Sequence, residues 1–218
     1  MEQSSAPLSG RRAQAARNDE RILEAAREVF VADPDAPISA VAERAGVGIS
    51  ALYRRYAGKE ELLRTVCADG LERYIAAAEA AVAGDGDPWS TFTEFMRRVM
   101  EADTHSLTLR LAGTFEPTEE LQRRAERAQE LNVQLLERAQ RAGAVRPDIA
   151  VDDLSFVFEQ LASVRVPDER RTRQLRERYL ALLLDALHSP SSAPLPGPPP
   201  SWEETSRRWQ PAIRLTSR

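Results

Sequence analysis

Histidine, lysine and cysteine are nearly missing from this 218-residue chain, which has two histidines, Lys59 as its single lysine and Cys67 as its single cysteine. A lone cysteine excludes an intramolecular disulfide and fits a reducing compartment. Cys67 lies in a helical pattern beside Leu63, Val66 and Leu71, and reads as a small packed side chain. Asp103 and His105 stand close together, but no third group at ligand spacing accompanies them, so no metal site is expected. A glycine-rich phosphate loop, a serine elbow and a paired His and Glu are all lacking, so neither catalysis nor a cofactor is expected. No apolar run approaches the roughly 20 residues that cross a bilayer. The opening stretch MEQSSAPLSGRRAQAARNDE has no apolar signal core, so the expected location is the cytoplasm, with no membrane partner.

Strong charge of either sign is lacking as well, the formal net charge being −4. Its distribution is more informative than its sum. The first 64 residues carry ten basic and ten acidic side chains, so the whole acidic excess lies beyond them. Within that neutral part, Arg44, Arg54, Arg55 and Lys59 cluster in one short stretch. A local basic face on a neutral domain is a starting point for nucleic-acid binding.

What the chain does have is apolar residues at helical spacing almost throughout, with no sustained period-two alternation. The expected class is all-α, with about nine helices: 17 to 32, 37 to 44, 49 to 56, 59 to 82, 88 to 102, 105 to 113, 117 to 142, 150 to 164 and 169 to 188. Breakers at DPDAP and GDGDP separate the early helices. The pattern predicts a flexible arm over 1–16, a short helical domain over 17–64, a larger helical domain over 65–188, and a Pro-rich disordered tail over 189–218. Trp202, Trp209 and Ile213 in that tail either dock, form a weak terminal helix, or are incidental.

The informative stretch is PISAVAERAGVGISALYRRYAGKEELL, Pro37 to Leu63. Two short helices joined by a glycine-containing turn make a helix-turn-helix. Ala42 and Ala45 are small enough for a close crossing, Gly46 supplies a left-handed end to the first helix, and Val47 and Leu52 fix the angle. The second helix then presents its N-terminus and one polar face to a groove.

This stretch, with ARNDERILEAAREVF before it, resembles the DNA-binding domain of the TetR family of repressors over roughly residues 17 to 65. The resemblance implies a DNA-binding transcriptional repressor that acts as a homodimer on double-stranded DNA. It implies that Tyr53 and Lys59 bind phosphate, that Tyr56 is a core aromatic, and that Gly48, Ile49, Ser50 and Ala51 lie at base edges. Arg54 and Arg55 read as arms for phosphate or guanine, or as a solvated helix face. Ala51 departs from the family pattern, which often has a hydroxyl there; either Ser50 compensates or Ala51 meets a thymine methyl. Arg11, Arg12 and Arg17 of the arm read as groove contacts or as an uncommitted basic segment.

The segments GAVRPDIAVDDLSF and RERYLALLLDAL also resemble the C-terminal domain of the SbtR-like subgroup. By that resemblance the last two helices form a dimer interface, with Leu154, Phe158, Leu161, Tyr179, Leu183 and Leu187 as its expected residues. The middle helices offer Trp89, Phe92, Met96, Met100, Leu109 and Phe115, which line a pocket for an apolar or aromatic effector or serve as ordinary core. The alternatives are a DNA-binding dimer without an effector, and an all-α enzyme.

Overall fold

The computed structural model describes residues 9–188 and 193–207, with side chains from residue 17 onward except those of 104, 108 and 109. Among the described residues the fold is all-α: α1 (Ser9–Ala32), α2 (Ile38–Ala45), α3 (Ile49–Arg55), α4 (Lys59–Ala83), α5 (Pro88–Ala102), α6 (Thr104–Leu111), α7 (Glu119–Arg141), α8 (Val151–Ser163), α9 (Glu169–Leu187) and α10 (Trp202–Ser206). The chain divides into two compact units, Met1–Val66 and Cys67–Arg218, and α4 contributes residues to both.

In the first unit, α1 packs on α2 and α2 on α3. Ile22, Ala26 and Phe30 of α1 repeat at helical spacing and are buried, as are Val41 and Ala42 of α2 and Leu52 of α3. Helix α1 begins at Ser9, well inside the segment read as a flexible arm. The stretch RRAQAAR consists of strong helix formers, so the helix propagates back through it without an apolar stripe to announce it. Arg11 and Arg12 lie outside the described side chains.

Each turn in the second unit has an identifiable stop or start. Asp87 caps α5 by accepting from Ser90 N at 2.9 Å, with Pro88 at the first helical position. Thr118 caps α7 and Asp168 caps α9 in the same way. Arg138 of α7 closes the α4–α5 turn, donating to the Gly84 carbonyl at 2.5 Å and the Gly86 carbonyl at 2.9 Å. The core gathers Phe92, Phe95 and Met96 of α5, Leu131 and Leu135 of α7, Phe158 of α8 and Leu180 of α9. Tyr74 is buried among them and spends its hydroxyl on Asn132 Oδ1 at 2.8 Å.

The Pro-rich segment is the main departure from the sequence pattern. Residues 193–207 are tied to the second unit, and α10 packs on α8. Arg146 grips Asp148 with both ends of its fork, at 2.5 and 2.8 Å, and also donates to the Ala193 carbonyl at 2.8 Å. Asp148 in turn accepts from the Leu195 amide at 2.9 Å. The Arg146 guanidinium, with that amide, holds the Asp148 carboxyl well below the usual carboxylate range. Thr205 donates to Asp152 Oδ1 at 2.9 Å, satisfying a buried carboxylate at the start of α8. Polar clamps, not apolar burial, order this stretch, which is why its composition reads as disordered. Trp209 and Ile213 lie outside the described residues.

Candidate functional site

The turn between α2 and α3 sets the first candidate site. Gly46 adopts the left-handed conformation, φ 64° and ψ 39°, and the Val47 amide returns to the Ala42 carbonyl at 3.0 Å. A side chain at Gly46 would be strained there, and its Cβ would also stand 3.1 Å from Arg21 Nη2. Gly48 starts α3, with the Ala51 amide bonded to its carbonyl at 2.9 Å. Leu52 is fully buried and Tyr56 nearly so, which fixes which side of α3 faces in.

The opposite side of α3 is open. Ser50, Tyr53 and Arg54 are exposed and share one face by their spacing of three and four, Tyr53 with 53% of its surface free. Gly48 and Ile49 at the helix start are also exposed, and Ala51 is half-buried at the margin. The N-terminus of α3 and one polar face are therefore presented together. Lys59, half-buried at the first turn of α4, holds its ammonium 5.4 Å from the centre of the Phe30 ring. That contact holds the lysine at the positive end of α4, an arrangement suited to an anion.

Arg55, exposed like Arg54, also reaches across the unit. It forms an ion pair with Asp19 of α1, so its guanidinium braces α3 against the first helix. Two further braces were not legible as such in sequence. Arg21 donates to the Ala45 carbonyl at 2.6 Å, satisfying the end of α2, and Arg44 pairs with Glu28 at 2.5 Å. Helix α1 thus steadies α2 by packing and both short helices by charge.

In the second unit the residues expected to line a pocket are mostly core. Phe92, Met96 and Phe115 are buried in packed surroundings, and the Trp89 ring lies 4.3 Å from the ring of His188. Leu109 lies outside the described side chains. Met100 borders a cavity, which is small, about 10 Å³, and bounded by α5, α6, α8 and α9. The physical reason is that helical periodicity marks a buried stripe without saying whether the stripe is packed or hollow.

The expected interface residues need a similar correction. Leu154, Phe158, Leu161 and Leu187 are buried within this chain's own core, and Leu183 is half-buried against it. Only Tyr179 is exposed, and it belongs to a different stripe of α9: half-buried Leu175, then exposed Tyr179, Leu182 and Ala186. Leu182 leaves 57% of its surface free, and Phe156 of α8 and Val166 are exposed large apolar residues as well. Apolar residues run along both sides of α9, so the sequence pattern merges an inward row with an outward one.

Around the small cavity is a polar group that sequence reading passed over. Asp103 has a positive φ of 50° and accepts from Arg176 Nη1 at 2.8 Å, with Arg165 at 3.7 Å and the Ser106 hydroxyl bonded to it. Arg176 also donates to the Ala162 carbonyl at 2.8 Å and the Val164 carbonyl at 3.2 Å, satisfying the end of α8. His105 stacks on Phe158 at 4.7 Å, and its Nδ1 is buried with no hydrogen-bond partner.

Burial lowers the His105 pKa from 6.5 to about 4. The unfolded chain then takes up a proton that the folded chain refuses, so stability is full above about pH 6.5 and is lost as pH falls toward 4. Unfolding by urea at pH 7 and pH 4.5 is expected to show a pH-dependent loss smaller by about 2 to 3 kcal/mol in His105→Gln than in the native chain. Equal losses would place the imidazole in water.

Residues 22–66 match the sequence family described as bacterial regulatory proteins, tetR family, and residues 87–189 match the C-terminal domain of SbtR-like transcriptional regulators. A TetR transcription regulatory protein from Mycobacterium vanbaalenii is 30% identical, covering 82% of this chain and 99% of its own, with a TM-score of 0.55. The TetR transcriptional regulator SCO0520 from Streptomyces coelicolor is 25% identical, over 79% and 99%, with a TM-score of 0.57. The TetR-like regulator LfrR from Mycobacterium smegmatis, solved in complex with proflavine, shares the fold at 19% identity over 81% and 99%, with a TM-score of 0.59. None of the curated proteins compared matches the chain.

Proposed function

Because the chain belongs to the TetR family of transcriptional regulators, we propose that it is a homodimeric repressor that grips a palindromic operator through α3 and is released by a small apolar or aromatic effector. The observation that carries the DNA contact is the split of α3 into a buried side, Leu52 and Tyr56, and an exposed side, Ser50, Tyr53 and Arg54. A surface helix with no DNA to meet has no need of an exposed tyrosine between two polar neighbours. Gly48, Ile49, Ser50 and Ala51 reach base edges at the helix start, and Tyr53, Arg54 and Lys59 hold phosphates. Arg55 acts through its brace to Asp19, positioning the helix.

A second copy covers the outward stripe of α9, because a two-fold pair of helix-turn-helix units matches a palindrome with half-sites about 34 Å apart or a multiple of it. Release by an effector requires two states with different ligand affinity, and α4 is the element common to both units that carries a shift between them. No described helix is long and apolar enough to cross a membrane, and the DNA partner places the working protein in the cytoplasm.

The test is a set of operator titrations with Tyr53→Phe, Arg54→Ala and Lys59→Ala. Each loses one charged or charge-assisted contact and is expected to weaken binding about tenfold or more while unfolding as the native chain does. Lys59→Ala is further expected to flatten the slope of log affinity against log salt by about 0.9, whereas Tyr53→Phe leaves the slope alone. Unchanged affinity in all three would remove α3 from the interface. The operator itself comes from selection of bound duplexes out of a random pool, where a palindromic winner is the expected result.

A further inference from the structure

We propose that the cavity between α5, α6, α8 and α9 is the effector's polar anchor point, and that it takes a neutral molecule with an apolar body and a single hydroxyl, bonded to His105 Nδ1. This rests on the effector-released reading above and adds to it a place and a chemical class.

Three observations define the ligand. First, the buried Nδ1 of His105 has no partner among the described residues, although buried ring nitrogens in folded proteins are almost always bonded. A hydroxyl satisfies it in either tautomer, accepting from an N–H or donating to a lone pair, which neither a ketone nor a protonated amine does.

Second, the two charged groups that line the cavity, Asp103 and Arg176, balance each other, with Arg165 reaching Asp103 from outside the lining at 3.7 Å. Each of the three Arg176 nitrogens is engaged, on Asp103, the Ala162 carbonyl and the Val164 carbonyl. Three of its five N–H groups are so used and its charge is met by Asp103, whose carboxylate repels a second one beside it. An ammonium ligand would compete with Arg176 for Asp103 while facing that same guanidinium. The ligand is therefore neutral.

Third, the remaining walls are apolar, formed by Val99, Met100, Phe158 and Leu161, with the Phe158 ring stacked on the imidazole. At about 10 Å³ the cavity has room for one water, so a larger guest must move a wall. Met100 is the wall suited to this, being unbranched, flexible and only half-buried near the end of α5.

The anchor is joined to the rest of the unit in a way that makes occupancy felt. Asp103 lies at the junction of α5 and α6, and its bridge to Arg176 ties that junction to α9. Arg176 is next in sequence to Leu175, where the outward stripe of α9 begins. A guest that displaces Met100 presses on this bridge, and so on the helix that carries the stripe.

Phenol and toluene, nearly equal in shape and different in the hydroxyl, are the probes. The full chain is titrated with each, reading melting temperature and the ring ¹⁵N resonances of its two histidines, His105 and His188. Phenol is expected to bind about tenfold more tightly than toluene and to move the His105 Nδ1 resonance while His188 stays put. His105→Leu should erase the preference for phenol, and His105→Gln, which keeps a polar group in place, should retain part of it. Met100→Ala should tighten both probes. Equal binding of phenol and toluene, or phenol binding with His105 unmoved, would overturn the assignment.

Operator affinity is measured in the same samples. If phenol seats on His105 and DNA binding is unchanged, the site stands and the effector-released reading falls. If another compound releases the operator with the His105 resonances still, that reading stands and this site falls.

Discussion

Leu182→Glu is expected to convert the chain to a monomer in solution and to lower operator affinity by a thousandfold or more. Two-fold symmetry puts every interface substitution in twice. Each copy loses the burial of a leucine, about 1.5 to 3 kcal/mol, and forces a carboxylate into contact with the stripe formed by Leu175, Tyr179 and Ala186. The sum passes 4 kcal/mol on the leucine burial and charge desolvation together, and a monomer retains only one half-site's contacts. Sedimentation at micromolar concentration reads the first effect and operator titration the second. Arg97→Glu, at an exposed position of α5, is the control and should do neither. A Leu182→Glu chain that sediments as a dimer would move the interface off α9.

The largest effect on stability is expected at Arg176. Arg176→Ala leaves the half-buried Asp103 without its principal counter-charge and leaves the Ala162 and Val164 carbonyls at the end of α8 without their donor. Losing one charge-assisted partner and the donor to two carbonyls costs about 2 to 4 kcal/mol. That is a large share of what holds a domain together. Arg123→Ala, which breaks an exposed pair on α7, is expected to change stability by less than about 1 kcal/mol. The double substitution Asp103→Asn with Arg176→Met should recover the part of the loss that comes from charge, because it removes both charges together, and leave the part that comes from the two carbonyls. Urea midpoints of the four chains decide the matter, and a mild effect of Arg176→Ala would mean that water reaches the bridge.

The helix-turn-helix was legible because its constraints are local. A left-handed glycine, two small residues at a crossing and a buried leucine are each tied to a position, and the structure has Gly46, Ala42, Ala45 and Leu52 in those roles. Arg55 was not legible, because Arg54 and Arg55 are chemically identical and only the position of Asp19 on another helix separates them. The same holds in the second unit. Arg176 sits in ERRTRQLRERY, where every arginine looks like surface charge, and burial singles it out only after α8 and α9 have packed. His105 was seen as a failed metal ligand, since sequence cannot show that its Nδ1 is sealed off from partners. On α9 the outward and inward rows are both apolar, so periodicity finds the helix and not the side a second copy would meet.

The clamp between residues 193–207 and the start of α8 bears on how the protein is made. Asp152 is short of one of its donors until Thr205 has left the ribosome, whereas the first unit is closed by residues up to Val66. At usual rates of translation the interval is about 7 to 30 s. In each newborn copy, the part read here as touching DNA is complete well ahead of the part read as pairing two copies, so the paired grip on an operator waits for the far end of the chain.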